Sequence, residues 1–459
     1  MGENMKRSIS FLLIVTIICA LCSPLCLAEG VKQPEIISES AVLMDAATGQ
    51  VLWEKNMHER KYPASITKIM TVLLAVENLQ MADTITMTES AVHSVSRDSS
   101  HIALTTDEVI TVEDAVCAAL LMSANDACNG LAEKVSGSIE KFAALMTAKA
   151  AEVGALDTNF NNANGLKDEN HYTTAYDMAM ITRYAVQNET FRNYFGMKQY
   201  TMQPNNKQPE KRPFNNQHSM LTDPKFAYEG IVGGKAGYTT DALYTLVTVA
   251  ERDGRTLVAV VMRSPKLNDK YTDTKALLDY GFSNFQKLEF SPNEVNKEEF
   301  PVVNQDGDET TARLTMNEPI SFYALSSIKK DAILQTVNLP EGKISKDSSI
   351  TVTFDLPEGT TGMYADLGTY TFHEVVLKSD EEAAAAAAAA AAGKASAKNF
   401  WSAVGSFFKV VGIIVLVIVG LFVLLVIALI LRKQHYRRKK RRRAFERQLR
   451  QQREKRNSQ

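Results

Sequence analysis

Cysteine is scarce: five occur in 459 residues, and three of them, Cys19, Cys22 and Cys26, fall in the first 28. Cys117 and Cys128 remain, with no CxxC pair, which excludes a disulfide framework or a cysteine-built zinc site in the body of the chain. Both are expected to pack as small apolar side chains in helices. The sequence also lacks an HExxH helix, a GxSxG elbow and a glycine-rich phosphate loop, and its seven histidines are scattered without a carboxylate at metal spacing. A large excess of either charge is missing as well, since 51 Lys/Arg against 53 Asp/Glu leave a net charge of -2.

That near-neutrality averages two extremes. Residues 432–459 hold 14 Lys/Arg and two Asp/Glu, residues 1–28 carry a net +1, and the remaining body is left at -15. An acidic body with a basic tail suits a chain whose ends occupy different surroundings. At the start, Lys6 and Arg7 precede an apolar run from Ile9 to Leu21, followed by Cys26-Leu27-Ala28. This reads as a secretory signal peptide over residues 1–28, cleaved after Ala28. Near the end, Val410–Leu431 is free of charge over 22 residues, about 33 Å as a helix and enough to cross a bilayer. The basic residues that follow place residues 432–459 in the cytoplasm and the body outside, so the chain is expected in the cell membrane as a single-pass protein. The tail reads as a topology signal resting on anionic lipid, not as a nucleic-acid-binding segment. Residues 379–409, with ten alanines from Ala383 to Ala392, favour helix but cannot build a core, and read as a stalk.

Within the body, Ala41–Asp45 and Val51–Lys55 flank Ala47-Thr48-Gly49-Gln50 as a hairpin. Helical periodicity begins at Ser65, with Ile66, Ile69, Met70, Leu73 and Leu74 on one face. Thr111–Asp114 reads as a capping box, another helix starts near Asp126, and Ser138–Val153 is a helix stopped by Gly154. Thr174 caps a helix expected to reach about Asn188. Three strands come late, at Ile231–Thr239, Tyr244–Glu251 and Thr256–Arg263, before a helix over Thr272–Phe285. The simplest arrangement is an α+β fold over residues 29–286, in which early and late strands share one antiparallel sheet with helices around it. Residues 287–378 alternate short β-like runs with Gly, Pro and Asp turns, and read as a small all-β domain.

One spacing could carry chemistry. Ser65-Ile66-Thr67-Lys68 sets a hydroxyl beside an amine, because residues three apart share a helix face. A desolvated lysine that loses its proton can activate such a serine. The same spacing recurs by chance at Ser138…Lys141, Ser326…Lys329 and Ser327…Lys330. The first gains weight from Ser123-Ala124-Asn125, which interrupts two helices, and from Gly233-Gly234-Lys235-Ala236-Gly237-Tyr238 on the first late strand. Taken singly, the former reads as a capping turn and Lys235 as a solvated strand charge.

Three elements in the order SxxK, SxN and KxG resemble the penicillin-recognising serine enzymes. Further stretches are similar to the low-molecular-mass D-alanyl-D-alanine carboxypeptidases: Asp45 and Gly49 in the hairpin, Pro63–Lys68, Leu121–Ala127, Asn164-Gly165-Leu166, His171–Ala179 and Gly237-Tyr238-Thr239. The likeness covers residues 36–285 and extends more loosely through the β domain. It implies a β-lactamase/transpeptidase-like sheet with helices, followed by a small β domain and a C-terminal transmembrane helix.

It further implies hydrolysis of the terminal D-alanine from peptidoglycan stem peptides, with Ser65 acylated, Lys68 as base and Ser123 as proton relay. Asn125 would hold the substrate amide, and Lys235 would supply charge to the relay and to the terminal carboxylate. The N–H groups of Ser65 and Tyr238, beside Gly237, would form the oxyanion hole. No metal or organic cofactor is implied, and β-lactams would acylate Ser65. The resemblance departs at Ala236, where the family has a threonine whose hydroxyl helps bind the carboxylate. Lys270, 35 residues after Lys235, stands either where relatives place a basic carboxylate-binding residue or as a solvated residue leading into a helix. The alternatives are a D,D-endopeptidase or β-lactamase-like hydrolase on the same fold, or a non-catalytic wall-binding scaffold.

Overall fold

The computed structural model describes residues 31–385, apart from 292–293, 296–298, 316–318, 346, 359, 362, 365, 373, 379 and 383, together with Lys409 and Arg432. The expected signal peptide, the transmembrane segment 410–431, most of the stalk and nearly all of the basic tail lie outside these residues. Among the described residues no helix is long and apolar enough to cross a membrane.

Strands β1 (Ser40–Asp45) and β2 (Val51–Lys55) form the expected hairpin, with Ala41 opposite Lys55. A 3₁₀ turn over Ala64–Thr67 leads into helix α1 (Lys68–Asn78). A helical layer follows: β3 (Thr84–Thr86), α2 (Glu89–His93), β4 (Val109–Thr111), α3 (Val112–Leu121), α4 (Asn125–Ser136), α5 (Ile139–Glu152), α6 (Ala175–Ala185) and α7 (Glu189–Phe195). After the short pair β5 (Gln199–Met202) and β6 (Arg212–Asn215) and the turn α8 (Ser219–Thr222), the chain returns through β7 (Ile231–Thr239), β8 (Leu243–Arg252) and β9 (Arg255–Ser264), then α9 (Leu267–Asn284).

Local chemistry sets many of these boundaries. Thr111 accepts the N–H of Asp114 while Asp114 returns a bond to the Thr111 N–H, the reciprocal cap read from sequence. Ser138 and Thr174 likewise cap α5 and α6. Two expectations need correction. The helix from Thr174 ends at Ala185, because Asn188 turns its side chain to the Phe191 N–H and caps a new helix. The helix placed at Thr272–Phe285 begins at Leu267, so Lys270 lies inside its first turn.

The antiparallel sheet has the order β2-β1-β9-β8-β7, with β1 paired to β9. It is apolar on both faces. Val258, Val260 and Met262 belong to the core beneath the helical layer. Their neighbours Leu257, Ala259 and Val261 are equally buried, and Leu257 and Leu43 meet α9 at Gly281. Because successive strand residues face opposite ways, burial on both faces yields a continuous hydrophobic run. Strand β7 is left at an edge, which matters below.

The contact pattern divides the chain into two compact units. Among the described residues the first holds those up to Glu299 together with those of 314–342 and 346–375. It includes β10 (Phe285–Phe290), whose partner Ile320–Leu325 runs antiparallel to it. Gln50, at the tip of the first hairpin, exchanges two 2.7 Å hydrogen bonds with the backbone of Tyr323 in that partner strand. Among the described residues the second unit comprises 300–313, 343–345 and those from Val376 on, and within it Phe300–Val303 pairs with Glu309–Ala312. Cys117 and Cys128 are buried free thiols in α3 and α4.

Candidate active site

The nucleophile candidate sits on the tight turn that precedes α1, not on the helix itself. In a 3₁₀ turn, side chains three apart eclipse, so Ser65 and Lys68 are brought directly together. Lys68 Nζ donates to Ser65 Oγ at 2.9 Å, to Asn125 Oδ1 at 2.7 Å and to the Asn164 carbonyl at 2.6 Å. It is completely buried, and burial draws its pKa down to about 8.

Ser123 lies in the three-residue break between α3 and α4 and adopts φ +58°, in the left-handed region. Ala64, just before Ser65, has φ +52°. Non-glycine residues pay about 1–2 kcal/mol for this conformation and hold it only where the surroundings enforce it. At Ser123 the break ends α3 and turns the hydroxyl to Lys235, whose Nζ donates to it at 3.2 Å and to the Ala236 carbonyl at 2.9 Å. Lys235 is also buried. Burial, and after it the neighbouring Lys68 ammonium, holds its pKa well below the ordinary lysine value.

Edge strand β7 runs alongside the nucleophile turn. A Cβ built at Gly237 would stand 2.8 Å from the Ser65 nitrogen and 2.5 Å from Thr245 Oγ1. Thr245 is not free to yield, since its hydroxyl donates to the Pro63 carbonyl at 2.9 Å. Next to Gly237, Tyr238 is half exposed and stacks on Tyr244 with ring centroids 4.5 Å apart. The structure therefore brings Ser65, Lys68, Ser123, Asn125, Lys235 and Gly237 together, with Tyr238 exposed beside Gly237.

Lys270 is 3 % exposed, so it is not a solvated residue leading into a helix. Its ammonium lies over Tyr244 and Tyr271, 5.3 and 5.0 Å from the ring centroids, and burial lowers its pKa to about 8. It stands close enough to Lys235 and His218 to disfavour further positive charge on both.

Sequence reasoning assigned no role to three residues that the structure puts at the site. Asn164 supplies the carbonyl that fixes Lys68, and its side chain donates to Asn129 Oδ1 at 3.1 Å. Gly165 lets this loop abut the nucleophile turn: its φ is +85°, and a Cβ there would fall 1.9 Å from the Ala64 carbonyl oxygen. His171 accepts the Asn161 N–H at Nδ1, which leaves Nε2–H to reach Thr67 Oγ1 at 2.9 Å. Burial keeps this imidazole neutral down to about pH 4. The Asn164-Gly165-Leu166 and His171-Tyr172 stretches were the available signal, but nothing in their spacing says which partner they meet. Among the described residues no group of three or more His, Cys, Asp or Glu side chains could hold a metal ion.

Known proteins are similar to this chain. The sequence profile of the family described as D-alanyl-D-alanine carboxypeptidase matches residues 28–266, just over half of the chain. The chain is 33% identical over 340 residues to the D-alanyl-D-alanine carboxypeptidase DacF of Bacillus subtilis, covering 71% of this chain and 85% of the relative. It is 31% identical over 327 residues to the D-alanyl-D-alanine carboxypeptidase DacA of Haemophilus influenzae, covering 69% and 76%. The crystal structure of penicillin binding protein 5 from Haemophilus influenzae superposes with a TM-score of 0.60 at 26% identity, over 75% of this chain and 99% of that one.

Proposed function

This chain belongs to the D-alanyl-D-alanine carboxypeptidase family of serine-type hydrolases, and on that premise we propose that it removes the terminal D-alanine of peptidoglycan stem peptides through an acyl-enzyme on Ser65. The observation that carries the reading is the set of three contacts made by Lys68 Nζ. A neutral amine has two N–H groups and one lone pair. Two carbonyl acceptors, Asn125 Oδ1 and Asn164 O, take the N–H groups, and the lone pair is left for the Ser65 hydroxyl proton.

Ser65 Oγ then attacks the carbonyl between the last two D-alanines as Lys68 takes its proton. The N–H groups of Ser65 and Tyr238 receive the developing oxyanion. Asn125, its Oδ1 occupied by Lys68, has Nδ2 left to hold a substrate carbonyl. Ser123 passes a proton to the leaving amine, and Lys235 keeps that relay polarised. Water releases the acyl group, and β-lactams, imitating the D-Ala-D-Ala end, acylate the same serine. Full-length protein in detergent, given a D-Ala-D-Ala-terminated peptide, should release D-alanine. Separation of cross-linked stems without release of D-alanine would identify an endopeptidase, rapid turnover of penicillin a β-lactamase-like hydrolase, and substrate binding without any cleavage a scaffold.

Ala236 removes a hydroxyl from the carboxylate end of this site, and buried Lys270 supports the reading that an ammonium serves there instead. A lost hydrogen bond to a charged group is worth roughly 1.5–3 kcal/mol, or about ten- to a hundredfold. Ala236→Thr should therefore raise kcat/KM for D-Ala-D-Ala peptides within that range, most clearly in a Lys270→Ala background. An unchanged preference for a free carboxylate in both backgrounds would show that this end of the substrate is read elsewhere.

We also propose that the apolar run 410–431 anchors the protein with the catalytic body outside the cell and the basic tail inside, as the charge asymmetry supports. Protease added to intact cells should remove the body and spare the tail, and protection of the body would reverse the assignment.

A further inference from the structure

We propose that a cationic cleft beside the start of α4 binds a carboxylate carried by the stem peptide on the acyl side of the scissile bond, namely the free α-carboxylate of its γ-linked D-glutamyl residue. This rests on the catalytic reading above. The cleft has a volume of about 760 Å³ and is lined by His93, Arg97, His101 and Lys207, with Asp126 the one acidic side chain among them.

Asp126 does not neutralise these groups. Its carboxylate accepts the backbone N–H groups of Ile102, Leu104 and Ala127 at 2.9–3.3 Å, so its charge is committed to holding segment 102–104 against α4. Among the described residues, the side chains of His93, Arg97 and Lys207 make no hydrogen bond or ion pair. His101 Nδ1 accepts the Ala103 N–H at 3.0 Å, which leaves Nε2–H as a donor in the neutral ring. Two permanent cations and an imidazole donor thus face a space with no competing free acid, while Leu104 and Val95 supply an apolar wall. Such a lining selects an anion attached to an aliphatic chain.

Position selects which anion. The cleft begins one residue from Asn125, the proposed holder of the substrate amide, and the Asn125 N–H itself donates to the Ser100 carbonyl of the segment that forms the cleft. Each extended residue spans about 3.3–3.6 Å. A carboxylate two to three residues before the acylated D-alanine therefore reaches roughly 7–11 Å beyond it. The γ-linked glutamyl residue occupies that place in a stem peptide.

The test uses full-length protein in detergent and two synthetic stems, L-Ala-γ-D-Glu-L-Lys-D-Ala-D-Ala with the glutamyl α-carboxyl either free or amidated. The lysine ensures that no other internal acid is present. Wild type should favour the free acid in kcat/KM by about five- to tenfold, the scale of one or two exposed ion pairs, with the difference carried by KM. The Arg97→Ala/Lys207→Ala variant should lose that preference while its kcat/KM for the amide and its rate of labelling by a fluorescent penicillin stay at wild-type values. Equal use of both stems by wild type, or a preference that survives the double substitution, overturns the proposal. A parallel loss on both stems overturns it too, since it marks a structural effect. If wild type releases D-alanine from neither stem, the catalytic reading fails and this proposal with it.

Discussion

Ser65→Ala is expected to abolish covalent labelling by a fluorescent penicillin and to lower D-alanine release by about 10⁴–10⁶-fold, the loss seen when one member of an interdependent catalytic unit is removed. Among the described residues no other serine has the same surroundings: there, Ser65 Oγ alone faces an amine that is fully buried and held by two carbonyl oxygens. Lys68→Ala should be nearly as severe, because the proton on Ser65 then has no acceptor within reach. The wild-type pH profile carries the same argument. Lys68 serves as base only when neutral, and burial sets its pKa to about 8. The acylation rate constant should therefore rise about tenfold per unit of pH below 8 and level off above it. Labelling that survives Ser65→Ala would assign the chemistry to another serine. A profile that is level below pH 8 and falls above it would show that Lys68 acts as the ammonium. Ser65→Ala removes a single oxygen from a half-buried side chain, so its melting temperature should stay close to that of wild type.

Gly237→Ala is expected to cost about 10²–10³-fold in acylation, the magnitude associated with losing one oxyanion donor. The added Cβ would sit 2.8 Å from the Ser65 nitrogen and 2.5 Å from the Thr245 hydroxyl. Neither neighbour is the free end of a flexible side chain: one is backbone, and the other is tied to the Pro63 carbonyl. Relief requires β7 to move away from the nucleophile turn, which separates the two N–H groups that would receive the oxyanion. As β7 is an edge strand bonded only to β8, the displacement is local and the fold should persist. Stopped-flow acylation by a β-lactam measures the effect. An unchanged rate would mean that the strand does not contribute to the oxyanion site.

The Ser65–Lys68 contact, the helix caps and the sheet strands were legible in the sequence because each is a local pattern. Ser65 and Lys68 meet through the geometry of one turn, Thr111 and Asp114 cap one helix, and the runs at 231–263 declare strands buried on both faces. The failures were also local. A helix was carried past Ala185 because Asn188 reads equally well as a last turn or as a new cap, and only the bond to Phe191 decides. The start of the last helix was missed because no side chain caps it at Lys266.

By itself, then, the sequence determined which residue types could perform acyl transfer, in which order they occur, and which family they resemble. Tertiary structure alone decided what surrounds them. Lys68 meets Asn164 across 96 residues and Asn125 across 57, and Lys235 meets Ser123 across 112. Contacts at such separations leave no periodicity to read. The depressed pKa of each lysine is a property of its burial, which belongs to the packed molecule rather than to any segment. Lys270 shows the division most plainly: its sequence context suits a solvated charge as well as a ligand for a carboxylate. Only the packing of α9 against the sheet, which encloses its ammonium between Tyr244 and Tyr271, removes it from water.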